Sequence, residues 1–157
     1  MTRAEEGRVE EERVEGPVID LCVVLFRGDG RVLLGERQNT GFQDGRYAIP
    51  GGGLEPGESV AQGAARELFE EVGVTVDPDT LHCAHVTHHR SARGATRIGF
   101  FFTAPRWEGT PVNREPHLCS RLTWEDPDDL PENTIPFAAD VIARIRRGEP
   151  FSAHGWD

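Results

Sequence analysis

Hydrophobic spacing along the chain changes period several times, and each change marks an element. Val18–Phe26 is almost continuously apolar, which predicts a buried strand. Gly28-Asp29-Gly30 breaks the run before Arg31–Arg37, so the two segments predict a hairpin. Asn39–Gly45 predicts a loop, and Tyr47-Ala48-Ile49 a short strand stopped by Pro50. The stretch Gly51–Gly57 is expected to be a turn that no regular element holds. A helix follows with both ends marked: Ser59 and Gln62 form a capping box, and Gly73 stands where a terminal glycine ends a helix. Leu81–Arg90, Arg97–Ala104 and Ser120–Glu125 read as further strands. Thr134 and Pro136 open a last helix with Ala138, Val141, Ile142 and Ile145 on one stripe and Gly148 beyond its end. Strands on both sides of a central helix, then a terminal helix, predict an α+β fold built on a mixed-sheet sandwich.

Composition narrows the function classes. At 157 residues, with 37% hydrophobic and 28% charged residues, the chain has the size and texture of one globular domain. Residues 1–16 read as a charged arm with little to bury, 17–150 as a single domain and 151–157 as a C-terminal tail. The net charge is −10, and every basic residue is Arg. Such an acidic chain is a poor ligand for a nucleic-acid polymer, because it has no basic surface to release phosphate counterions. Cys22, Cys83 and Cys119 lie far apart in sequence, which argues against a disulfide framework or zinc ribbon. With neither a signal peptide nor a run of the ~20 apolar residues that a membrane helix needs, a cytoplasmic protein away from membranes is expected. A homodimer is left open.

The central helix carries an electrostatic conflict. At ~100° per residue, Glu67, Glu70 and Glu71 share about 100° of arc, and Glu71 falls inside the apolar stripe of Val60, Ala64, Leu68 and Val72. Like charges three and four residues apart repel, and part-burying an unpaired carboxylate costs more. Arg66 and solvent are one remedy. A divalent metal is the other, since Mg²⁺ takes carboxylates, waters and substrate phosphates as ligands. A glycine turn alongside lets a phosphate chain approach the backbone.

Gly52-x5-Glu58-x7-Arg66-Glu67-Leu68-x-Glu70-Glu71-x-Gly73-Val74 resembles, at every fixed position, the box that defines Nudix hydrolases. The resemblance implies a Nudix-type α/β/α sandwich with a mixed sheet and a loop–helix–loop catalytic motif. It implies cleavage of a nucleoside diphosphate linked to another moiety, with Mg²⁺ or Mn²⁺ as cofactor and a small phosphorylated molecule as substrate. Glu67, Glu70 and Glu71 resemble the metal-binding carboxylates, and the carbonyl of Gly51 the backbone ligand ahead of the box. Gly52 would border the substrate. Arg66 and Glu58 resemble the pair that orients those carboxylates. Downstream, Asn113-Arg114-Glu115-Pro116, Cys119, Trp124 and Leu130-Pro131 look like the nucleoside-triphosphate pyrophosphohydrolase branch, which makes Glu115 the candidate fourth carboxylate. Glu70 or Glu115 is the candidate general base. Arg37 and Arg46 are candidate phosphate-gripping residues.

Other signals are bordering ones. Phe42, Tyr47 and residues 131–137 are expected beside the leaving moiety's pocket, and Trp107 and Trp124 either stack on a base or pack at the core rim. Among His82, His85, His88 and His89 some are expected to line the substrate pocket. A zinc site there is disfavoured, since a four-residue strand interval separates ligands by roughly 13 Å. Rival readings are a Nudix hydrolase of a nucleotide sugar, dinucleotide or prenyl diphosphate, and a catalytically silent nucleotide sensor. The sensor is disfavoured because no box Glu is missing.

Overall fold

The computed structural model describes residues 16–157; the charged arm read over 1–16 therefore lies, except for Gly16, outside the described residues. The elements run β1 (Val18–Val24), β2 (Val32–Arg37), β3 (Tyr47–Ala48), β4 (Gly51–Gly53), α1 (Val60–Val72), β5 (His82–Arg90), β6 (Thr96–Thr103), β7 (Cys119–Glu125), α2 (Pro136–Arg146) and β8 (Phe151–His154). Five strands form a mixed sheet in the order β4-β1-β6-β5-β8, with β1 parallel to β6 and β5 parallel to β8. The other three form an antiparallel sheet, β3-β2-β7. The α+β expectation holds, with two sheets rather than one.

Two cores flank the large sheet. Leu21 and Val23 of β1 face α1, packing with Ala64, Leu68, Val72 and Phe102. Val24 faces the other way, into a second core with Leu34, Tyr47, Phe101, Val141 and Ile142 of α2. Burial on both faces is why this strand reads as an apolar run broken only by Asp20. The helix signals hold for α1: Ser59 Oγ accepts from the Gln62 amide, Gln62 Oε1 accepts from the Ser59 amide, and Gly73 closes the helix at φ 72°. At α2, Pro136 occupies the first turn as expected, but no side chain caps the helix and Thr134 does not serve that purpose.

Two expectations about regular structure are overturned. Gly51-Gly52-Gly53 is not a free turn but a strand, paired antiparallel with Cys22, Leu21 and Asp20. Glycine is needed there because the backbones are close: a Cβ on Gly51 would stand 2.5 Å from the Leu21 carbonyl oxygen. The supposed C-terminal tail likewise contains β8, an edge strand on β5. Four residues of mixed polarity carry no periodic signal, and what holds them is non-local. His85, fully buried on β5, has Nδ1 at 2.7 Å from the Glu149 carbonyl oxygen and Nε2 at 2.7 Å from Ser152 Oγ. His154 Nε2 lies 2.8 Å from the same hydroxyl. A carbonyl only accepts, so His85 Nδ1 carries a proton and donates it.

Ser152→Ala should leave both imidazole Nε2 atoms without their shared partner and lower the unfolding free energy by about 1–3 kcal/mol. A denaturant midpoint equal to that of the parent chain would contradict the assignment.

Candidate active site

The acidic helix edge meets the glycine strand under one guanidinium. Arg66 Nε and Nη2 grip both oxygens of Glu58 at 2.9 and 2.7 Å, and Nη2 also donates to the Gly53 carbonyl at 3.0 Å. Its Nη1 donates to Glu67 at 2.9 Å and Glu70 at 3.1 Å. Glu58 in turn accepts from the Glu55 amide, so the loop before α1 is pinned to the helix. The Arg66 contact, foremost, brings the Glu58 carboxyl down to about 2. Gly52 lies directly against this cluster: a Cβ there would come within 2.3 Å of the Glu67 carboxylate.

Glu71 is treated differently. Its side chain turns inward, as the helical wheel requires, and burial above all pushes its carboxyl up to about 8. The charges of Glu67 and Glu115 push the same way, against a stabilising amide from Gly51. Burial likewise raises Glu67, against the pull of Arg66. Arg66 has no reach left for Glu71, and among the described residues neither Glu71 nor Glu115 has a basic partner.

A cavity of about 240 Å³ opens between the two sheets at this point. Glu71, Val72 and Gly51 line one side; Gly35, Arg37, Glu115, Leu118, Cys119 and Leu122 line the other. Glu115 arrives from the loop before β7, whose backbone docks on the open end of α1: the Val112 and Arg114 amides donate to the Val72 and Glu71 carbonyls at 2.9 and 3.0 Å. These are carbonyls that a helix end leaves without intrahelical partners.

The candidate residues therefore separate. Glu71, Glu115 and Gly51 share the cavity, with Glu67 linked to Glu71 and Glu115 through charge and Glu70 on the exposed rim beside Arg66. Arg37 lines the cavity too, but two of its donors are committed to its own loop, Nε to the Phe42 carbonyl at 2.8 Å and Nη2 to Thr40 at 3.0 Å. Arg46 is exposed and does not border the cavity. Tyr47, expected at the substrate, is only 4% exposed and belongs to the second core, beneath Arg121. Gly52 sits behind Glu67 rather than on the cavity wall.

Residues 131–137 also lie away from the cavity: Phe137 packs into the second core and Asn133 holds the Gly45 carbonyl. Phe42 stands outside as well, 64% exposed beneath the Arg37 guanidinium. Trp107 and Trp124 stack on each other at 6.5 Å at the edge of the first core. None of the four strand histidines lines the cavity. A register shift between Cys83 and His85 breaks strict alternation there: Cys83 is exposed, while His85 packs against Phe101 of the second core. Sequence reasoning in turn missed Gly35, Cys119 and Leu122, which reach the cavity only through the β2–β7 pairing.

A divalent cation fits the donor chemistry. The groups are carboxylates, the hard oxygen ligands such ions prefer, and a buried carboxyl with a raised pKa beside two like charges is a group that lacks its counter-charge. As placed, no three acidic, histidine or cysteine groups among the described residues converge on one point. Glu67 and Glu70 are drawn instead to Arg66 Nη1.

The family model for the NUDIX domain matches residues 17–145, and the chain belongs to the Nudix family. Within it the chain is similar to an oxidized purine nucleoside triphosphate hydrolase of Danio rerio, 36% identical over 78% of this chain and 74% of that protein. It is also similar to the CTP pyrophosphohydrolase of Escherichia coli, 29% identical over 71% of this chain and 78% of that one. The crystal structure of a MutT NUDIX hydrolase from Burkholderia pseudomallei superposes with a TM-score of 0.73 at 27% identity, covering 82% of this chain and 98% of that one.

The Glu71 carboxyl sets a pH dependence of the metal-free protein. Folding raises its pKa from the ordinary 4.5 to about 8, so its neutral form stabilises the fold fully below about pH 4.5. That contribution fades as pH rises toward and through about 8. In chelator, Glu71→Gln should remove this decline and melt above the parent chain at pH 8–9. Parallel melting curves for the two proteins from pH 5 to pH 9 would refute the burial of this charge.

Proposed function

We propose that this chain is a divalent-metal-dependent pyrophosphohydrolase. It cleaves a nucleoside or deoxynucleoside triphosphate, a base-modified one included, to the monophosphate and pyrophosphate. The observation that carries the reading is the pair of uncompensated carboxylates, Glu71 and Glu115, lining one cavity beside the Gly51–Gly53 backbone. The names of the relatives, an oxidized purine nucleoside triphosphate hydrolase and a CTP pyrophosphohydrolase, support the substrate class.

The residues divide the work by position. Glu67, Glu70, Glu71 and Glu115, with the Gly51 carbonyl, would hold Mg²⁺ or Mn²⁺. When bound, the metal neutralises phosphate charge and lowers the pKa of water. Arg66 and Glu58 orient the carboxylates by the bidentate pair described above. Glu70, on the exposed rim, or Glu115, on the cavity wall, takes the proton of the attacking water. Arg37 keeps Nη1 for a phosphate oxygen while its other donors shape the loop that borders the substrate. The chain works as a soluble enzyme in the cytoplasm; no described helix is long and apolar enough to cross a membrane.

Glu70→Gln and Glu71→Gln should each lower turnover about 100-fold or more with the melting profile at pH 7 retained or raised. A panel of nucleoside triphosphates, nucleotide sugars and prenyl diphosphates, with products read by mass in ¹⁸O water, tests the substrate class. Monophosphate and pyrophosphate from a triphosphate are expected. Cleavage confined to the sugar or prenyl compounds would overturn the assignment, and undiminished turnover in both Gln variants would overturn the site.

A further inference from the structure

Glu115 belongs to no helix or strand, yet it lines the cavity opposite Glu71. A carboxylate on a loop contributes to a metal site only if the loop's freedom has been removed, because misplacement by about 1 Å already costs two orders of magnitude in rate. Three sets of contacts remove it. Pro116 restricts the backbone of Glu115 to extended conformations. The Val112 and Arg114 amides anchor the approach to the end of α1. On the far side, Gln38 Nε2 donates to the Pro116 carbonyl and Asn39 Nδ2 to that of His117 at 2.9 Å.

One side chain closes the loop on itself. Asn113, half-buried, accepts the Glu115 amide on Oδ1 at 3.1 Å and donates from Nδ2 to the Cys119 carbonyl at 2.6 Å. The Cys119 and Leu118 amides return to the Glu115 carbonyl at 2.8 and 2.9 Å. Asn113 thus spans the loop from the residue that carries the carboxylate to the first residue of β7. The carboxamide is matched to the task, because one end must accept from an N–H while the other donates to a C=O. Leu, Ala or Ser at this position supplies neither pair at that span.

We propose that Asn113 is a positioning residue, which fixes Glu115 against Glu71 so that both carboxylates serve the same cation. The proposal rests on the reading of Glu115 as a member of the site, and the test separates the two. Mn²⁺ affinity, read from the free-ion paramagnetic resonance signal, and steady-state turnover are measured for N113A, N113D, E115Q and the double variant N113A/E115Q.

The expected result is Mn²⁺ binding and turnover each weakened ~10–100-fold in N113A, the range for residues that orient metal ligands. In the double variant N113A should add nothing to E115Q, since two changes that act through one group are not additive. N113D keeps the shape and the acceptor for the Glu115 amide but cannot donate to Cys119. Its added negative charge draws Mn²⁺ in, so weakened binding there reports lost geometry and guards against N113A failing to fold.

Full additivity of N113A and E115Q, or Mn²⁺ affinity unchanged in both Asn113 variants while E115Q is impaired, would overturn the role of Asn113 alone. Parental Mn²⁺ binding and turnover in E115Q would overturn the placement of Glu115 in the site, and the positioning role with it.

Discussion

Five hydrogen bonds converge on the guanidinium of Arg66, and the arrangement of the site follows from which carboxylates it reaches. A planar fork serves both oxygens of Glu58 on one edge and Glu67 and Glu70 on another, while also holding the Gly53 carbonyl. A lysine ammonium, a point charge with three donors, has no such reach. The helix can therefore carry Glu67 and Glu70 on one edge beside Glu58, and the glycine strand is tied to it at the same time. What the fork does not reach is as informative. Glu71 points inward and Glu115 lines the same cavity, and among the described residues neither has a counter-charge.

Such a division concentrates an energetic cost at one carboxyl. Arg66, Glu58 and the loop before α1 form a satisfied network that stabilises the metal-free fold. Glu71 is the opposite: burial disfavours its charged form, so at neutral pH it is held mostly protonated in the metal-free fold. The backbone glycines serve the same end. With no Cβ, Gly51 and Gly52 allow β1 and the Glu67 carboxylate to approach the strand more closely than any side chain would permit.

Much of this was legible in the sequence because it is local. Capping residues, the terminal glycine, the apolar stripe and the inward place of Glu71 all follow from spacing along one helix. The strands were legible where β1 is buried on both faces. What stayed hidden is what non-local pairing decides. Gly51–Gly53 became a strand because β1 offered it an edge, and Phe151–His154 became one because His85 offered Ser152 a partner. Tyr47 looked like a rim residue and is core, since β3 turns it under Arg121. The cavity wall at Gly35, Cys119 and Leu122 depends on the register of β2 with β7, which no single-strand pattern records.

The cavity lies on the seam between the two sheets, and the two sides differ in character. The five-stranded sheet and α1 contribute the glycine strand and Glu71, and the close approaches at Gly51 and Gly52 together with the Arg66 bond to Gly53 set how that strand lies against β1 and the helix. The three-stranded sheet contributes loop residues such as Thr40 and Leu118, which are tied as well: Arg37 Nη2 donates to Thr40 Oγ1 at 3.0 Å, and the Gln38 amide donates to the Leu118 carbonyl at 3.0 Å. The Val112 and Arg114 amides stitch these walls together across the seam, so the width of the cleft is set by that splice rather than by either sheet alone.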